Sequence, residues 1–164
     1  MAIEIAKFYP SATVILISSI RNRRQRPGWM TFCGQLHLEF IIPRRSKLQP
    51  ASRQTAFRNW ISPLENYFQG LETREDCALY RDFRNHIDRS FIRWAVGAIL
   101  RWKNEWTPAS FYHLQGGRDR IFPLSPHEVT STLADGGHFM VYNRAEWVSR
   151  RLLPLIGPKS NINL

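Results

Sequence analysis

Two residues in the second half of the chain, Asp119 and His138, have the types and the spacing to form an acid–base pair. Each follows a short apolar segment of strand character that breaks at a pair of glycines. The segment Phe111–Leu114 precedes Asp119, and the segment Val129–Leu133 precedes His138. Two such strands would deliver both side chains to the same edge of a sheet. A carboxylate that holds a histidine imidazole as a general base needs this arrangement.

The motif around these residues resembles the α/β-hydrolase family. It consists of a strand, Gly116-x-x-Asp119, roughly twenty residues, and then Gly137-His138-Phe139. In that family the acid follows the seventh strand and the histidine follows the eighth. The resemblance implies that Asp119 is the acid and His138 the base of a catalytic triad. It also implies an α/β fold, namely the C-terminal part of the hydrolase fold with about three parallel strands, flanking helices and a helical lid insertion.

The nucleophile of that family lies in a G-x-S-x-G elbow that precedes both partners. No G-x-S-x-G occurs in the 164 residues. We therefore expect a truncated serine hydrolase that begins just after the elbow, lacks the serine and the oxyanion hole, and is inactive as an isolated chain. Completed by the missing half, it would act on a small-molecule ester. Ser18 and Ser19 are poor substitutes for the nucleophile because no elbow glycines surround them.

The resemblance divides the chain into four parts. Residues 1–20 would hold the end of the post-elbow helix and a core strand, and residues 21–108 a helical lid. Residues 109–156 would carry the core strands, the acid, the histidine and the last helix. Residues 157–164 would be a frayed tail.

The first part contains two predicted elements. Ala2–Phe8 has helical spacing and ends before Pro10. Thr13–Ile17 is a continuous apolar run, typical of a strand buried on both faces of a parallel sheet. Without a neighbouring strand on its other side, Val14–Ile17 would present an open apolar edge that favours self-association.

The predicted lid has no clear strand, and its helices are bounded by caps and prolines. A helix apolar nearly all round, Ser90–Lys103, is expected to be buried between layers, with the stripe of Phe91 and Trp94 among its packing residues. The other expected lid elements are Trp29–Phe40, a basic loop at Arg44–Ser52, Thr55–Trp60 ended by Pro63, and a helix opened by the capping box Thr73-x-x-Asp76. Beyond the lid, Asn143-x-x-Glu146 would cap a last helix that Pro154 ends.

Composition excludes several classes of protein. A hydrophobic content of 43% indicates a globular domain rather than a disordered chain. The sequence contains no run of eighteen apolar residues, so we predict no membrane span. Its first residues lack the pattern of a signal peptide. The two cysteines, Cys33 and Cys77, have no C-x-x-C spacing, so we expect a reducing, cytoplasmic location.

The net charge of +10 leaves two interpretations open. Of the 23 basic residues 19 are arginines, and they cluster only modestly, at Arg21–Arg26 and Arg44–Lys47. We favour a solvated basic surface, which could steer anionic substrates, over a nucleic-acid interface.

The candidate site residues also have ordinary structural alternatives. Asp119 is a type of residue that bonds the local backbone in turns, and His138 could be a core or surface histidine. A metal site formed by these two with His113 and His127 lacks any HxxxH or HExxH spacing. We predict neither a metal nor a cofactor. The alternative to a hydrolase is a non-catalytic binding or scaffold protein derived from the same fold, or, less favoured, a nucleic-acid-binding protein.

Overall fold

The computed structural model describes residues 2–41 and 51–156, and within 51–59 it describes only the path of the backbone. The strands are β1 (Val14–Ile17), β2 (Phe111–Gly116) and β3 (Ser131–Leu133). The helices are α1 (Ala2–Ala6), α2 (Gly28–Gln35), α3 (Ala51–Gln69), α4 (Arg74–His86), α5 (Arg89–Leu100), α6 (Met140–Asn143) and α7 (Ala145–Ile156). Short 3-10 helices cover Arg23–Gln25, Leu38–Ile41 and Pro126–Glu128.

The three strands form one parallel sheet in the order β1-β2-β3, so the predicted α/β class is confirmed. β1 and β2 pair from Val14↔Phe111 onward, and β2 and β3 pair from Leu114↔Ser131 onward. Parallel strands need a crossover, and α2 to α5 all lie in the crossover from β1 to β2. Because the strands are parallel, the loops after β2 and β3 leave the sheet at the same edge.

The apolar core covers both faces of this sheet. One cluster packs α1 against β1, and a second packs α6 and α7 against β2 and β1. A third cluster lies beyond the carboxyl ends of the strands, where α2 and α5 meet the loop after β2. Its fully buried members are Ile20, Met30, Leu100 and Phe122.

Strand β1 lies at one edge of the sheet that the described residues form. Its side chains alternate between buried and half-buried, while Phe8 and Tyr9 just before it are exposed. Self-association through the open edge at Val14–Ile17 stays a prediction.

Helix α3 corrects the expectation that Thr55–Trp60 is a short helix ended by Pro63. The helix runs from Ala51 to Gln69 with Pro63 inside it, and Ser52, expected in a loop, is helical. An interior proline removes one backbone hydrogen bond and costs about 3 kcal/mol. The remaining bonds of a 19-residue helix and the docking of its C-terminal end outweigh that cost. The basic segment Arg44–Lys47 lies outside the described residues, as do residues 157–164.

The expected helix Trp29–Phe40 is interrupted. Helix α2 ends at Gln35, and His37 then adopts a left-handed backbone conformation with φ of 52°. Residues of an α-helix need negative φ, so His37 separates α2 from the 3-10 helix Leu38–Ile41.

Helix α5 packs through only one of its two apolar faces, although we expected both to be buried. Phe91 and Trp94 are 51% and 56% exposed, whereas Leu100 is buried and Val96 and Ile99 pack beside it. Apolar residues occur on both sides of this helix, so periodicity did not decide which side meets the core. The expectation that α5 is buried all round is therefore wrong.

The helix caps in the middle of the chain are confirmed. The Asp76 N–H donates to Thr73 Oγ1 at 3.0 Å, and the Thr73 N–H donates to Asp76 Oδ2 at 3.2 Å. Asp88 accepts from the Ser90 N–H at 2.8 Å and opens α5. The final cap is wrong, because α6 ends at Asn143 and α7 continues past Pro154 to Ile156.

Within the part of the chain that the structure describes, no helix combines the length and the apolar character needed to cross a membrane.

Strand β2 buries a histidine, His113, whose Nε2 lies 2.8 Å from the carbonyl oxygen of Ser19. Because a carbonyl only accepts hydrogen bonds, Nε2 must carry the proton. Burial lowers the pKa of His113 below its ordinary value, and the positive charge of Arg21 lowers it further, against opposing effects of the Ser19 bond and of Glu128. The folded protein therefore holds His113 neutral where the unfolded chain would take up a proton.

We expect this histidine to make the folded state less stable in mild acid. As the pH falls below the ordinary histidine pKa of about 6.5, His113 binds a proton in the unfolded chain but not in the folded chain. The free energy of unfolding therefore decreases. Urea unfolding at pH 7 and pH 5 should show a smaller loss of stability in His113→Asn than in the wild type. The exposed His127 offers a control. His127→Asn should lose as much stability between pH 7 and pH 5 as the wild type. If His113→Asn loses as much stability as the wild type, His113 is not the source of the acid sensitivity.

Candidate functional site

The structure brings Asp119 and His138 together. Asp119 follows β2 and His138 follows β3, and Nδ1 of His138 lies 3.0 Å from Oδ2 of Asp119. The two residues come from loops that leave adjacent parallel strands at the same edge. The pairing is therefore a direct result of the sheet topology.

Asp119 is almost fully buried, and its carboxylate accepts four hydrogen bonds. Oδ1 accepts the backbone N–H groups of Ile121 at 2.8 Å and Phe122 at 2.9 Å. Oδ2 accepts from Gln115 Nε2 at 2.8 Å and from His138. A buried carboxylate is costly unless it is hydrogen-bonded in this way. Oδ1 thus bonds the local backbone, which is the structural alternative that the sequence left open, and Oδ2 orients the histidine.

Gln115 is the site residue that the sequence analysis missed. It is the penultimate residue of β2, it is buried, and its Nε2 donates to both Asp119 Oδ2 and the Phe122 carbonyl at 2.8 Å. It therefore holds the same carboxylate oxygen that His138 contacts. A glutamine at the end of a buried strand, immediately before a glycine pair, was the available signal.

His138 is oriented for proton transfer at its free nitrogen. Since the carboxylate of Asp119 only accepts, Nδ1 donates, and in the neutral ring Nε2 keeps its lone pair. The side chain is 23% exposed, and no described residue is hydrogen-bonded to Nε2. The ring packs beside Phe122, with centroids 5.6 Å apart. The arrangement presents a basic nitrogen to a ligand from outside.

The two glycine pairs allow the loops that carry these residues to touch through their backbones. The Gly117 N–H donates to the Leu133 carbonyl at 2.8 Å, and the Arg118 N–H donates to the Gly136 carbonyl at 2.9 Å. A Cβ added at Gly116 would lie 2.3 Å from the Gly136 carbonyl oxygen. No side chain fits there, so the glycine is required by contact rather than by flexibility.

The turn between α3 and α4 docks on the loop that carries His138. The Phe139 N–H donates to the Gln69 carbonyl at 2.9 Å. Gly70 has φ of 70°, and a Cβ there would lie 2.8 Å from the Cα of Gly137. The long crossover therefore holds the histidine loop in place through backbone contact.

Two arginines form hydrogen bonds at the turn between α3 and α4. Arg120, beside the acid, donates to the Tyr67 carbonyl at 2.8 Å, and its guanidinium lies 4.0 Å from the centroid of the Tyr67 ring. Arg144 bonds Glu72 at 2.7 Å and Asp135 at 3.3 Å. Arg120 thus connects the loop after β2 to α3.

The remaining sequence candidates lie elsewhere. His113 bonds Ser19 and not the acid, and no hydrogen bond in the described part of the chain joins Ser18 or Ser19 to His138. The Ser18 hydroxyl is buried. Among residues 2–41 and 51–156, no three His, Cys, Asp or Glu side chains are grouped closely enough to hold a metal ion.

Two of the four arginines in the basic cluster Arg21–Arg26 contact the body of the protein, while Arg23 and Arg24 are exposed. Arg26 donates to the carbonyls of Ile99 at 3.2 Å and Trp102 at 3.1 Å, at the C-terminal end of α5. Arg21 lies over the Phe111 ring at 5.3 Å. These contacts give Arg21 and Arg26 a structural role.

No family model, curated protein or solved structure matches this chain.

We expect Gly116→Ala to separate the two loops of the candidate site. The new methyl group would overlap the Gly136 carbonyl, so the loop that carries His138 must move, at a cost of about 1–3 kcal/mol in the free energy of unfolding. Urea unfolding measures the cost, and the ¹⁵N shift of His138 Nδ1 reports the lost hydrogen bond to Asp119.

Gly28→Ala is the matched control, because a Cβ at Gly28 meets no atom within 4 Å. It should leave both measurements close to those of the wild type. If the ¹⁵N shift of His138 Nδ1 in Gly116→Ala equals that of the wild type, the two loops are not packed as closely as described.

Proposed function

We propose that Asp119 and His138 are the acid and base of a serine hydrolase of the α/β-hydrolase type that cleaves small-molecule esters. The observation that carries this proposal is the 3.0 Å contact between Asp119 Oδ2 and His138 Nδ1, with the other ring nitrogen left open to a ligand. A buried acid, an oriented imidazole and an accessible Nε2 are the geometry of a triad without its nucleophile.

The order of the elements supports the same assignment. The strand order β1-β2-β3, with the acid after β2 and the histidine after β3, agrees with the seventh and eighth strands that the resemblance implies, preceded by a core strand. The helical crossover α2 to α5 would take the place of the lid, with its α3–α4 turn against the histidine loop.

The proposed reaction uses His138 twice. Nε2 would take the proton of a serine hydroxyl as the serine oxygen bonds the ester carbonyl carbon, and Asp119 would stabilise the resulting imidazolium. Nε2 would then give that proton to the departing alkoxide. In the second half, His138 would take a proton from water, whose oxygen attacks the acyl-enzyme, and return it to the serine.

The serine and the oxyanion donors would come from residues outside this sequence. No G-x-S-x-G occurs in the 164 residues, and neither Ser18 nor Ser19 bonds His138 in the described part of the chain. The nucleophile would reach His138 from the open side of the imidazole.

A fluorophosphonate probe, which reacts with activated serines, tests this proposal. We expect no labelling of the chain by itself, because the activated serine is missing. Joined to the segment encoded immediately upstream of the Met1 codon, the protein should be labelled at a serine in a G-x-S-x-G sequence. Asp119→Asn should slow ester hydrolysis by about 10⁴-fold because it favours the wrong tautomer.

Asp135→Asn is the control for the loss of a carboxylate, because Asp135 is exposed and lies in the neighbouring loop. It should hydrolyse esters at nearly the wild-type rate. Labelling that His138→Ala leaves undiminished, or an upstream segment without the serine motif, would refute the proposal.

A further inference from the structure

An apolar groove of about 320 Å³ lies beside the candidate site, between α2, α3 and the loop after β2. This volume is at the low end of the range for small-molecule pockets. Its apolar lining consists of Trp29, Ile61, Leu64, Phe68 and Ile121.

The polar residues of the groove are already engaged. The carboxylate of Glu65 forms an ion pair with Arg84, and the amide of Gln69 lies 3.4 Å from the Tyr80 hydroxyl. Neither presents a free charge to a ligand. The chemistry of the lining therefore suits an uncharged hydrocarbon.

The groove shares its walls with the acid–base pair. Ile121 lines the groove, and its backbone N–H is held by Asp119 Oδ1 at 2.8 Å. Gln69 also lines the groove, and its carbonyl accepts the N–H of Phe139, the residue after His138. A ligand in the groove would thus contact Ile121, which is hydrogen-bonded to Asp119, and Gln69, which is hydrogen-bonded to the residue after His138.

We propose that this groove binds the apolar acyl or alkyl chain of the substrate, with the carbonyl group of the substrate at His138. The inference rests on the proposed function for the role of His138, but binding of the chain in the groove is measurable without catalysis. Each methylene buried in such a groove contributes about a fourfold gain in affinity. The affinity of a series of uncharged carbonyl compounds should therefore rise with chain length until the groove is filled.

The experiment titrates the protein with unreactive N-methyl alkanamides of increasing chain length by isothermal titration calorimetry. Leu64, which is 55% exposed on α3, is replaced by arginine to place a charge in the groove with little risk to folding. Leu153, 62% exposed on α7 and outside the groove lining, gives the matched control Leu153→Arg. Circular dichroism checks that both variants are folded.

We expect a dissociation constant that falls about fourfold per methylene in the wild type and in Leu153→Arg. Leu64→Arg should weaken binding of the longest amide at least tenfold. An affinity independent of chain length, or equal losses in the two arginine variants, would overturn the proposal. So would a dimer in sedimentation velocity that Leu64→Arg dissociates, because a second copy would then fill the groove.

His138→Ala separates this inference from the proposed function. The dependence on chain length should persist in this variant, since the groove does not need the imidazole to bind hydrocarbon. If it persists while ester hydrolysis by the protein joined to its upstream segment proves independent of His138, the groove stands and the hydrolase assignment falls. If affinity is independent of chain length while hydrolysis requires His138, the reverse holds.

Discussion

The buried carboxylate of Asp119 is the constraint on which the rest of the site depends. A charge removed from water is tolerated only where hydrogen bonds replace its hydration. Its four donors come from three segments: Gln115 in β2, the backbone after Asp119, and His138 after β3. One side chain therefore ties a strand, its following loop and the neighbouring loop into one unit. The imidazole orientation follows from that same set of bonds, so the stability of the loops and the geometry of the pair have a common origin.

Close approach between backbones is the second constraint, and it extends the site into the helical crossover. Gly116 meets Gly136, and Gly70 meets Gly137, at distances that exclude a Cβ. The first contact joins the loops after β2 and β3. The second joins the C-terminal end of α3 to the histidine loop, where the Gln69 carbonyl and the Phe139 N–H add a hydrogen bond. Any displacement of this end of α3 must therefore act on the loop that carries His138.

Sequence reasoning found the elements of the site that depend on local signals. The glycine pairs and the strand character before them predicted that Asp119 and His138 meet at one edge of a sheet, and the resemblance implied that its strands are parallel. The Thr73 and Asp88 caps were predicted for the same reason, because capping is a contact within a few residues.

Features decided by distant contacts were not predictable in this way. The buried face of α5 depends on where Ile20 and Met30 lie, and Pro63 is accommodated in a long helix whose end is docked elsewhere. The role of Gln115 depends on a loop that folds back over it. Periodicity and propensity report which surfaces are apolar, but not which of two apolar surfaces is covered.

The excess of arginine over lysine has a physical explanation inside the fold. The last carbonyl groups of a helix have no partner within the helix, and a guanidinium can satisfy several of them with one side chain. Arg26 does so at the end of α5, and Arg120 bonds the Tyr67 carbonyl in the last turn of α3 while stacking on the Tyr67 ring. A lysine ammonium provides neither the planar fork nor the stacking. Part of the +10 charge is therefore used to close helix ends, and Arg26, a member of a cluster that suggested a basic interface, stabilises the crossover that positions His138.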